Sequence, residues 1–544
     1  DGVMSRGLGD VYKRQGDTIT FEGDIIGATH STPASNTAVD ISLDAGSGGT
    51  LTVLGIGHTT GGSDNTEINA VTLTGSTIST NGKINTVSNT KDDRGTVTIT
   101  GALSLAGDTT IETDTAASTG TNHLDGDITI VGTVDATGTE TFTLQSGSGA
   151  IDISGLIGNT DTLGTVAINT TTGSNNEATG NIAIAGVGKA DLSAAGTEAS
   201  ATFSVGNTNT NKITLDGDDY TFAGDATFTA KAGDTIDNVG ATAAITDYKT
   251  TGGANITFAG GTLYIQDATT GVKIDTSTGN GDVTIASVDG DHDESLTITA
   301  GAGAVSVGRI GGTSQTHSGD GVKTVAITSS SGITLSGDII TADAASGITL
   351  TGPVVISGDV EIDTNTSGTD GTLTFTSTIR GTDNTANDTD KLEIDTGTGA
   401  ITFNANTIIG GASKPLDTLS INTTDSDEAL EIPQIGSGTT TAGVLGQVDI
   451  GNTAATPSIS MRDALYNFGT GNVTLNTVAT GTTTFAKSDA NTAVNLSGTG
   501  GGGDFKIDGK VKITHGTVDI NSGGGSIEIT KVCAMPCITS ELVM

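Results

Sequence analysis

A short strand–turn–strand phrase recurs along the chain and limits what the chain can fold into. Apolar residues alternate with polar ones, a glycine-rich break follows, and the alternation then resumes. Copies of the phrase begin at Ile41, Phe142, Leu296, Leu392 and Val518. Self-similarity on this scale is typical of a solenoid, in which one small unit stacks on the next. The sequence therefore predicts a stacked repeat rather than a conventional globular core.

A second phrase indicates the length of the repeating unit. It places an apolar residue and one spacer before a Gly-Asp pair. Neighbouring copies lie one short repeat apart, as Gly107 and Gly126 do, and as Gly337 and Gly358 do. A unit of about 20 residues has room for three short strands and three turns. We therefore expect an all-β fold, a right-handed parallel β-helix (β-solenoid) with rungs of about 20 residues.

The composition favours this class over an array of immunoglobulin-like sandwiches. Of 544 residues, 82 are glycine and only 6 are proline, while Ile, Val and Leu alternate with Thr, Ser, Asp and Asn. Sandwich modules would show longer strands, a buried tryptophan and a period of about 100 residues. The chain has no tryptophan, and aromatic residues make up 3% of it. The alternation fits a coil with one inward and one outward face.

The charge of the chain excludes several partners. Twenty-two basic residues stand against 62 acidic ones, which gives a formal net charge of −40. Such a surface repels phosphate backbones, so we expect no nucleic-acid binding. It also disfavours adsorption to anionic lipid, and the sequence has no apolar run long enough to predict a membrane-spanning helix. We therefore expect no membrane insertion, and a surface that attracts cations.

The two ends of the chain differ from its middle. Residues 1–15 show no alternation and resemble the adapter-like ends of assembled metagenomic sequences. Both cysteines, Cys533 and Cys537, lie close to the C-terminal end. We expect 1–15 and 532–544 to be non-native or disordered ends, and 16–531 to form a single continuous β-solenoid. The chain is then expected to be a fragment of a longer protein.

Two stretches carry a resemblance to a known family: GSGAIDISGLIGNTDTLGTVAINT at 147–170 and GTGAITFNANTIIGGASKPLDTLSINT at 397–423. They resemble the strand repeats of filamentous-haemagglutinin-type adhesins and large bacterial exoproteins, and the resemblance covers most of 16–531. It implies a rod that a Gram-negative bacterium secretes or displays on its surface. It also implies a structural and adhesive role without catalysis. The expected partners are cell-surface or extracellular-matrix glycans or proteins, bound through many weak contacts.

Two other functions stay open at this point. A polysaccharide hydrolase or lyase can be built on a β-helix, with acidic or basic groups in a groove lined by aromatic rings. Tyr220 and Tyr264 are the candidates for such a lining. Binding to ice or to another crystal surface would use Thr-x-Thr pairs such as those at 96–98 and 297–299. It requires these pairs in register on every rung, whereas they are sporadic along the sequence.

Calcium is the most specific chemical hypothesis that the residues support. Two segments place oxygen-bearing side chains at alternate positions, which suits a hard cation. The candidate ligands are Asp289, Asp291, Asp293, Asp363, Asn365 and Ser367. Neither segment has the acidic residue at position twelve that completes an EF-hand, since Ala300 and Thr374 stand there. The alternatives are a structural calcium ion or ordinary Asp and Asn turns, and no other cofactor is expected.

A stacked coil also has consequences for association. Its first and last rungs leave strand edges unpaired, and such edges template pairing with another chain. We therefore expect end-to-end or lateral self-association.

Overall fold

The fold is described from a computed structural model of the chain. The structure describes residues 16–26, 39–57, 68–86, 95–114, 125–161, 163–171, 179–188, 200–242, 244–266, 270–291, 294–312, 321–341, 347–365, 370–383, 389–410, 414–424, 428–437, 441–486, 494–499, 502–514, 517–532 and 541–543. All regular secondary structure within these ranges is β-strand. The expected end at 1–15 lies outside the described residues, as do both cysteines.

The chain forms two compact units. Unit 1 comprises Asp1–Thr270 and Ile274–Ala286, and unit 2 comprises Gly271–Lys273 and Ser287–Met544. The strands of unit 1 are β1 (Ile19–Thr20), β2 (Val39–Asp44), β3 (Thr50–Val53), β4 (Ile68–Thr80), β5 (Lys83–Asn85), β6 (Thr96–Leu105), β7 (Thr109–Glu112), β8 (Ile128–Val131), β9 (Val134–Ala136), β10 (Phe142–Gln145), β11 (Ile151–Ile153), β12 (Leu163–Ile168), β13 (Ile182–Ile184), β14 (Ser200–Gly206), β15 (Lys212–Leu215), β16 (Asp219–Phe222), β17 (Asp225–Thr229), β18 (Thr235–Asn238), β19 (Ile245–Thr250), β20 (Ile256–Ala259) and β21 (Thr262–Ile265).

Two strands, β22 (Gly271–Asp275) and β23 (Val283–Gly290), contribute residues to both units. The remaining strands belong to unit 2. They are β24 (Glu294–Thr299), β25 (Val305–Ile310), β26 (Val322–Thr328), β27 (Ile333–Leu335), β28 (Ile339–Ile340), β29 (Gly347–Thr351), β30 (Val354–Ile356), β31 (Asp359–Asp363), β32 (Thr372–Phe375), β33 (Ile379–Arg380), β34 (Lys391–Asp395), β35 (Ile401–Phe403), β36 (Ile408–Ile409), β37 (Thr418–Ile421), β38 (Leu430–Ile432), β39 (Gln434–Ile435), β40 (Val448–Ile450), β41 (Ser458–Met461), β42 (Leu465–Phe468), β43 (Val473–Leu475), β44 (Thr482–Phe485), β45 (Val494–Gly498), β46 (Phe505–Ile513), β47 (Thr517–Asn521), β48 (Ile527–Val532) and β49 (Glu541–Val543).

The strands pair in parallel and stack rung upon rung. We call a set of strands that stack on one another a column. In the column β27–β30–β33–β36–β39 of unit 2, each strand comes three strands later in the chain than the strand on which it stacks. A rung therefore consists of three strands and three connections, as predicted. The stacking forms a β-solenoid of about 14 turns, which confirms the all-β parallel fold. Part of the expected C-terminal end continues this pattern, because β49 pairs in parallel with β47.

The rungs vary in length, and most are longer than the sequence predicted. The rung from Ile333 to its partner Val354 is close to the prediction, whereas the rung from Leu163 to its partner Ser200 is far longer. The rung that begins at Val448 shows the reason, because its strands β40, β41 and β42 have only 3, 4 and 4 residues. The rest of that rung lies in its connections. Connections of variable length therefore set the length of a rung.

The core is a set of ladders in which like residues stack on like residues. Ile151 pairs with Ile182 and Ile153 with Ile184, and all four side chains are buried. Neighbouring rungs lie about 4.8 Å apart, so each inward side chain contacts its counterparts above and below. Burial of each such side chain contributes about 1.5–3 kcal/mol relative to exposure. The alternating sequence therefore forms a continuous core although only 34% of the chain is hydrophobic.

The two units share a longer repeat than the single rung. Gly147 and Gly397 both have positive φ, +57° and +53°, at the same turn of the same phrase. In each unit an aspartate from the previous rung accepts the backbone N–H of the residue that follows this glycine, Asp125 in unit 1 and Asp370 in unit 2. A Cβ atom on either glycine would overlap an oxygen of that carboxylate. These two turns therefore require glycine.

The next rung of each unit contains a second pair of equivalent residues, Asn169 and Asn422. Asn169 and Asn422 adopt left-handed φ values of 47° and 46°. The amide oxygen of Asn169 accepts the N–H of Ser146, and that of Asn422 accepts the N–H of Thr396, both at 2.8 Å. Units 1 and 2 thus contain the same multi-rung cassette, displaced by about 250 residues along the chain.

Candidate functional site

The predicted calcium ligands are only partly described. Asp293 and Ser367 lie outside the described residues. Asp289 and Asp363 lie in the same column of stacked residues, and Gly311 and Ile340 lie between them. The two aspartates are therefore three rungs apart, a distance of about 14 Å. The two segments therefore do not combine into a single site.

The described part of the second segment, residues 363–365, forms a tight turn. Asp363 is buried, and its Oδ1 atom accepts the N–H of Asn365 at 2.8 Å. The side-chain amide of Asn365 donates to Oδ1 of Asp395 at 3.3 Å. A carboxylate that accepts the backbone N–H two residues on is the usual geometry of an Asx turn. In the part of the chain that the structure describes, no group of three or more His, Cys, Asp or Glu residues is arranged to hold a metal ion.

An array of mostly hydroxyl-bearing residues lies on one sheet of unit 2. The array occupies five neighbouring strands of this eight-stranded sheet, β24, β26, β29, β32 and β35, stacked in parallel and in register. We call its outward surface the threonine face. Its positions, taken three from each rung, are Ser295, Thr297, Thr299, Thr324, Ala326, Thr328, Gly347, Thr349, Thr351, Thr372, Thr374, Thr376, Ala400, Thr402 and Asn404.

The threonine face is regular in both directions. Its central column is Thr297, Ala326, Thr349, Thr374 and Thr402, one residue from each of five successive rungs. Successive residues of a column lie about 4.8 Å apart, and neighbouring outward residues of one strand lie about 6.7 Å apart. All fifteen positions are half-buried or exposed, whereas the residues between them are buried or nearly so. The array is thus an outward lattice built on a packed core.

The threonine face carries no charge and has unused hydrogen-bonding capacity. None of its fifteen positions is Asp, Glu, Lys or Arg, although such residues make up 15% of the chain. The hydroxyl groups of Thr297, Thr349, Thr374 and Thr402 make no hydrogen bond with the described residues. Thr376 differs, because its hydroxyl accepts the N–H of Gly352 at 3.1 Å. The central column can therefore bond to an external partner.

Unit 1 shows that the fold itself does not require a neutral face. Its cassette places Asp127 and Asp152 at the positions that correspond to Thr372 and Thr402, and both aspartates are exposed. The strands concerned, β8 and β11, pair in the same parallel manner as β32 and β35. The difference between the two faces therefore lies in the sequence of outward residues and not in the backbone.

A second outward column of unit 2 carries carboxylates. We call Glu361, Glu393, Ser420 and Asp449 the carboxylate column, because they stack in this order on β31, β34, β37 and β40. Like charges placed directly opposite each other in a sheet destabilise it. The pKa of Glu361 is raised above its ordinary value, first by burial and then by the neighbouring charges of Asp363 and Glu393.

A small polar pocket lies at the end of the carboxylate column. It has a volume of about 220 Å³. Its walls supply hydroxyl, amide and carboxylate groups, and its lining residues are Ser420, Thr423, Asp449, Gly451, Asn452, Thr453 and Asn476. The side-chain amide of Asn452 donates to the carbonyl oxygen of Thr423 at 2.8 Å, which ties one wall to the previous rung. No aromatic ring is among the lining residues.

The two tyrosines predicted to line a sugar-binding groove, Tyr220 and Tyr264, do not lie on a common surface. Tyr220 is fully buried, and its hydroxyl accepts the N–H of Gly217 at 2.9 Å and donates to the carbonyl of Ile184 at 3.1 Å. Its ring stacks on that of Tyr248, with centroids 4.8 Å apart. Burial raises the pKa of the Tyr220 hydroxyl. Tyr264 is half-buried on the outward side of β21. Tyr220 is thus a core residue.

The registers that create the threonine face and the carboxylate column are not evident from the sequence. The spacing along the chain from Thr297 to Ala326 differs from the spacing between Thr349 and Thr374, so a fixed period does not align them. A signal was nevertheless present, because Thr-x-Thr pairs occur at 297–299, 349–351, 372–374 and 374–376. Only the strand pairing shows that these pairs belong to a few neighbouring rungs.

The fold and these surfaces define a class of protein: the chain is a β-solenoid repeat protein. No protein-family profile, curated protein or solved structure matches it. Among the described residues there is no helix of the length and apolarity needed to cross a membrane.

Proposed function

We propose that this chain is an extracellular structural and adhesive scaffold, a part of a secreted or surface-displayed bacterial exoprotein of the filamentous-haemagglutinin-like kind. The observation that carries the proposal is the threonine face. Five rungs present uncharged outward residues in register, and the central hydroxyl groups make no hydrogen bond with the described residues. A regular array of this type makes many similar weak contacts at once, and their joint strength can exceed that of any single contact by orders of magnitude.

The chemistry of the described surface also supports a binding role over catalysis. Catalytic sites bring an acid, a base or a nucleophile together with the groups that orient it. The threonine face has hydroxyl groups but no charged residue among its fifteen positions that could activate one. Its repetition over five rungs suits adhesion, because each rung adds another copy of a similar contact. The proposed partners are therefore extended surfaces, glycan or protein, outside the cell.

The proposal is tested by binding of the full chain to immobilised extracellular-matrix proteins and glycans at several surface densities. Multivalent adhesion predicts binding that rises more steeply than the ligand density. The double variant T372D/T402D should weaken the binding, because it gives the threonine face the two charges that unit 1 carries. The control is T52D/T143D, which makes the same two changes at outward threonines of β3 and β10 in unit 1, where neither new carboxylate stacks on an acidic residue. Equal binding by both variants would assign adhesion to another surface.

The carboxylate column favours a second candidate function, a polysaccharide hydrolase. A glycosidase uses two carboxyl groups, one of which stays protonated near neutral pH because its pKa is raised. Glu361 has a raised pKa and stacks directly on Glu393. Release of reducing ends from neutral and acidic polysaccharides would establish this activity. It should then be lost in E361Q and in E393Q but kept in E22Q, a change at an exposed glutamate of unit 1.

A further inference from the structure

We propose that the threonine face binds the surface of ice crystals. The inference deepens the proposed adhesive function and rests on it, since it names the partner of the same surface. A crystal of neutral, hydrogen-bonding molecules places three requirements on the protein surface that binds it.

The first requirement is periodicity in two dimensions. Ice presents oxygen atoms at fixed repeats, so a protein that holds it must offer its contacts at fixed repeats of similar size. The parallel pairing of β24, β26, β29, β32 and β35 sets the first repeat at about 4.8 Å, and the pleat of each strand sets the second at about 6.7 Å. Surface repeats of hexagonal ice have a comparable size. The Thr297, Thr349, Thr374 and Thr402 side chains therefore lie on a suitable lattice.

The second requirement is the absence of charge. A carboxylate or an ammonium group orients water around itself and holds that water in an arrangement that differs from the ice lattice. The threonine face has no such group, although the net charge of the chain is −40. The corresponding face of unit 1 carries Asp127 and Asp152, so neutrality distinguishes the face of unit 2 from its counterpart.

The third requirement is a side chain that combines a hydroxyl with an apolar group in a fixed orientation. Threonine is β-branched and therefore stiff at χ1, so little conformational entropy is lost when its hydroxyl joins an external lattice. Its methyl group limits the positions that neighbouring water can take. The hydroxyls of Thr349 and Thr374, which bond to none of the described residues, can each both donate and accept a hydrogen bond, as a water molecule does.

The chemistry of the face disfavours the other periodic partners. Crystalline polysaccharides are held by aromatic rings that stack on sugars, and the face has no aromatic residue. Mineral surfaces built from ions require charged side chains, which are also absent from the face. Ice is the neutral periodic solid that remains.

The test uses the full chain and measures two quantities: thermal hysteresis, and the fraction of protein taken into ice that grows slowly from solution. The wild-type protein should show hysteresis and be enriched in the ice. T372D/T402D should lose both properties, because each new carboxylate disrupts the lattice. That variant is expected to fold, since unit 1 accommodates aspartate at the equivalent positions, and far-UV circular dichroism checks this. The control T52D/T143D should keep both properties.

The outcomes distinguish a failure of ice binding from a failure of the proposed adhesive function. If the wild-type protein shows no thermal hysteresis and is excluded from ice, the inference is wrong. This result needs no variant. If the same protein still adheres to glycans or matrix proteins through the threonine face, the adhesive function stands while its partner is not ice. Ice binding that persists in T372D/T402D would also overturn the inference, since it would place the ice-binding surface elsewhere on the chain.

Discussion

Tyr220 and Tyr466, far apart in the sequence, make the same two hydrogen bonds in their separate units. Each hydroxyl accepts the N–H of the residue three positions earlier, Gly217 or Asp463, and donates to a carbonyl oxygen of the previous rung. Both tyrosines are fully buried. A turn that recurs with this detail indicates that the chain repeats at two lengths, the single rung and a cassette of several rungs.

The hydroxyl of Tyr466 should contribute measurably to stability. Y466F removes the hydroxyl that accepts the N–H of Asp463 and donates to the carbonyl of Ile432, which keeps its bond from the N–H of Arg462. The expected loss of stability is about 1–3 kcal/mol, the usual effect of leaving a buried polar group unsatisfied. Urea unfolding of the full chain measures it. T349V is the control, because it removes an exposed hydroxyl that bonds to none of the described residues, and its unfolding midpoint should stay close to that of the wild type.

Two substitutions separate backbone conformation from hydrogen bonding at Asn422. N422G tolerates the left-handed φ of 46° but removes the acceptor of the Thr396 N–H, whereas N422A also strains the backbone. Both variants should lose hydrogen-exchange protection at the amide of Thr396. N422A should also be less stable than N422G by about 1 kcal/mol. Equal stability of the two would show that the left-handed conformation costs little at this position.

The sequence predicted the fold well and the surfaces poorly, for one physical reason. Inward positions must be apolar on every rung, so the alternation around Ile151 and Ile182 is visible without knowing which strands pair. Outward positions have no such constraint, and connections of variable length change the sequence spacing between residues such as Thr374 and Thr402 from one rung to the next. Register is therefore the information that sequence alone lacked. The role of Tyr220 was missed on the same account, since its hydroxyl bonds to another rung.

The glycine turn of the cassette should not tolerate a side chain. G397A places a Cβ atom within 2.6 Å of Oδ2 of Asp370, at a residue whose φ is +53°. The alanine must strain the backbone or displace the carboxylate that accepts the Thr398 N–H. The urea midpoint should fall clearly below that of the wild type. G23A is the matched control, because no atom lies within 4 Å of the added Cβ there, and it should leave the midpoint unchanged.

Calcium titration distinguishes an Asx turn from a cation site at Asp363. The Oδ1 atom of Asp363 already accepts the N–H of Asn365. If this turn is the whole role of the residue, the melting temperature of the chain is the same in millimolar calcium and in chelator. We expect that result. A melting temperature that rises with calcium in the wild type and not in D363N would instead establish a structural calcium ion.

The raised pKa of Glu361, whose ordinary value is 4.5, makes the stability of the chain depend on pH. Burial and the charges of Asp363 and Glu393 favour the protonated form of this side chain in the folded state. The folded chain therefore binds the proton more tightly than the unfolded chain, and the contribution of Glu361 to stability decreases as the pH rises from 4.5 through the folded-state pKa. At neutral pH the ionised side chain opposes folding.

The variant E361Q removes the titrating group and keeps the shape of the side chain. Its urea midpoint should therefore exceed that of the wild type at neutral pH, and the difference should shrink as the solution is acidified towards the ordinary pKa of a glutamate. The backbone N–H at this position still donates to Oδ1 of Asp338 in the variant. E22Q, at an exposed glutamate, controls for the loss of one negative charge from the chain. A difference between E361Q and wild type that stayed constant over this pH range would contradict the assignment of the raised pKa to Glu361.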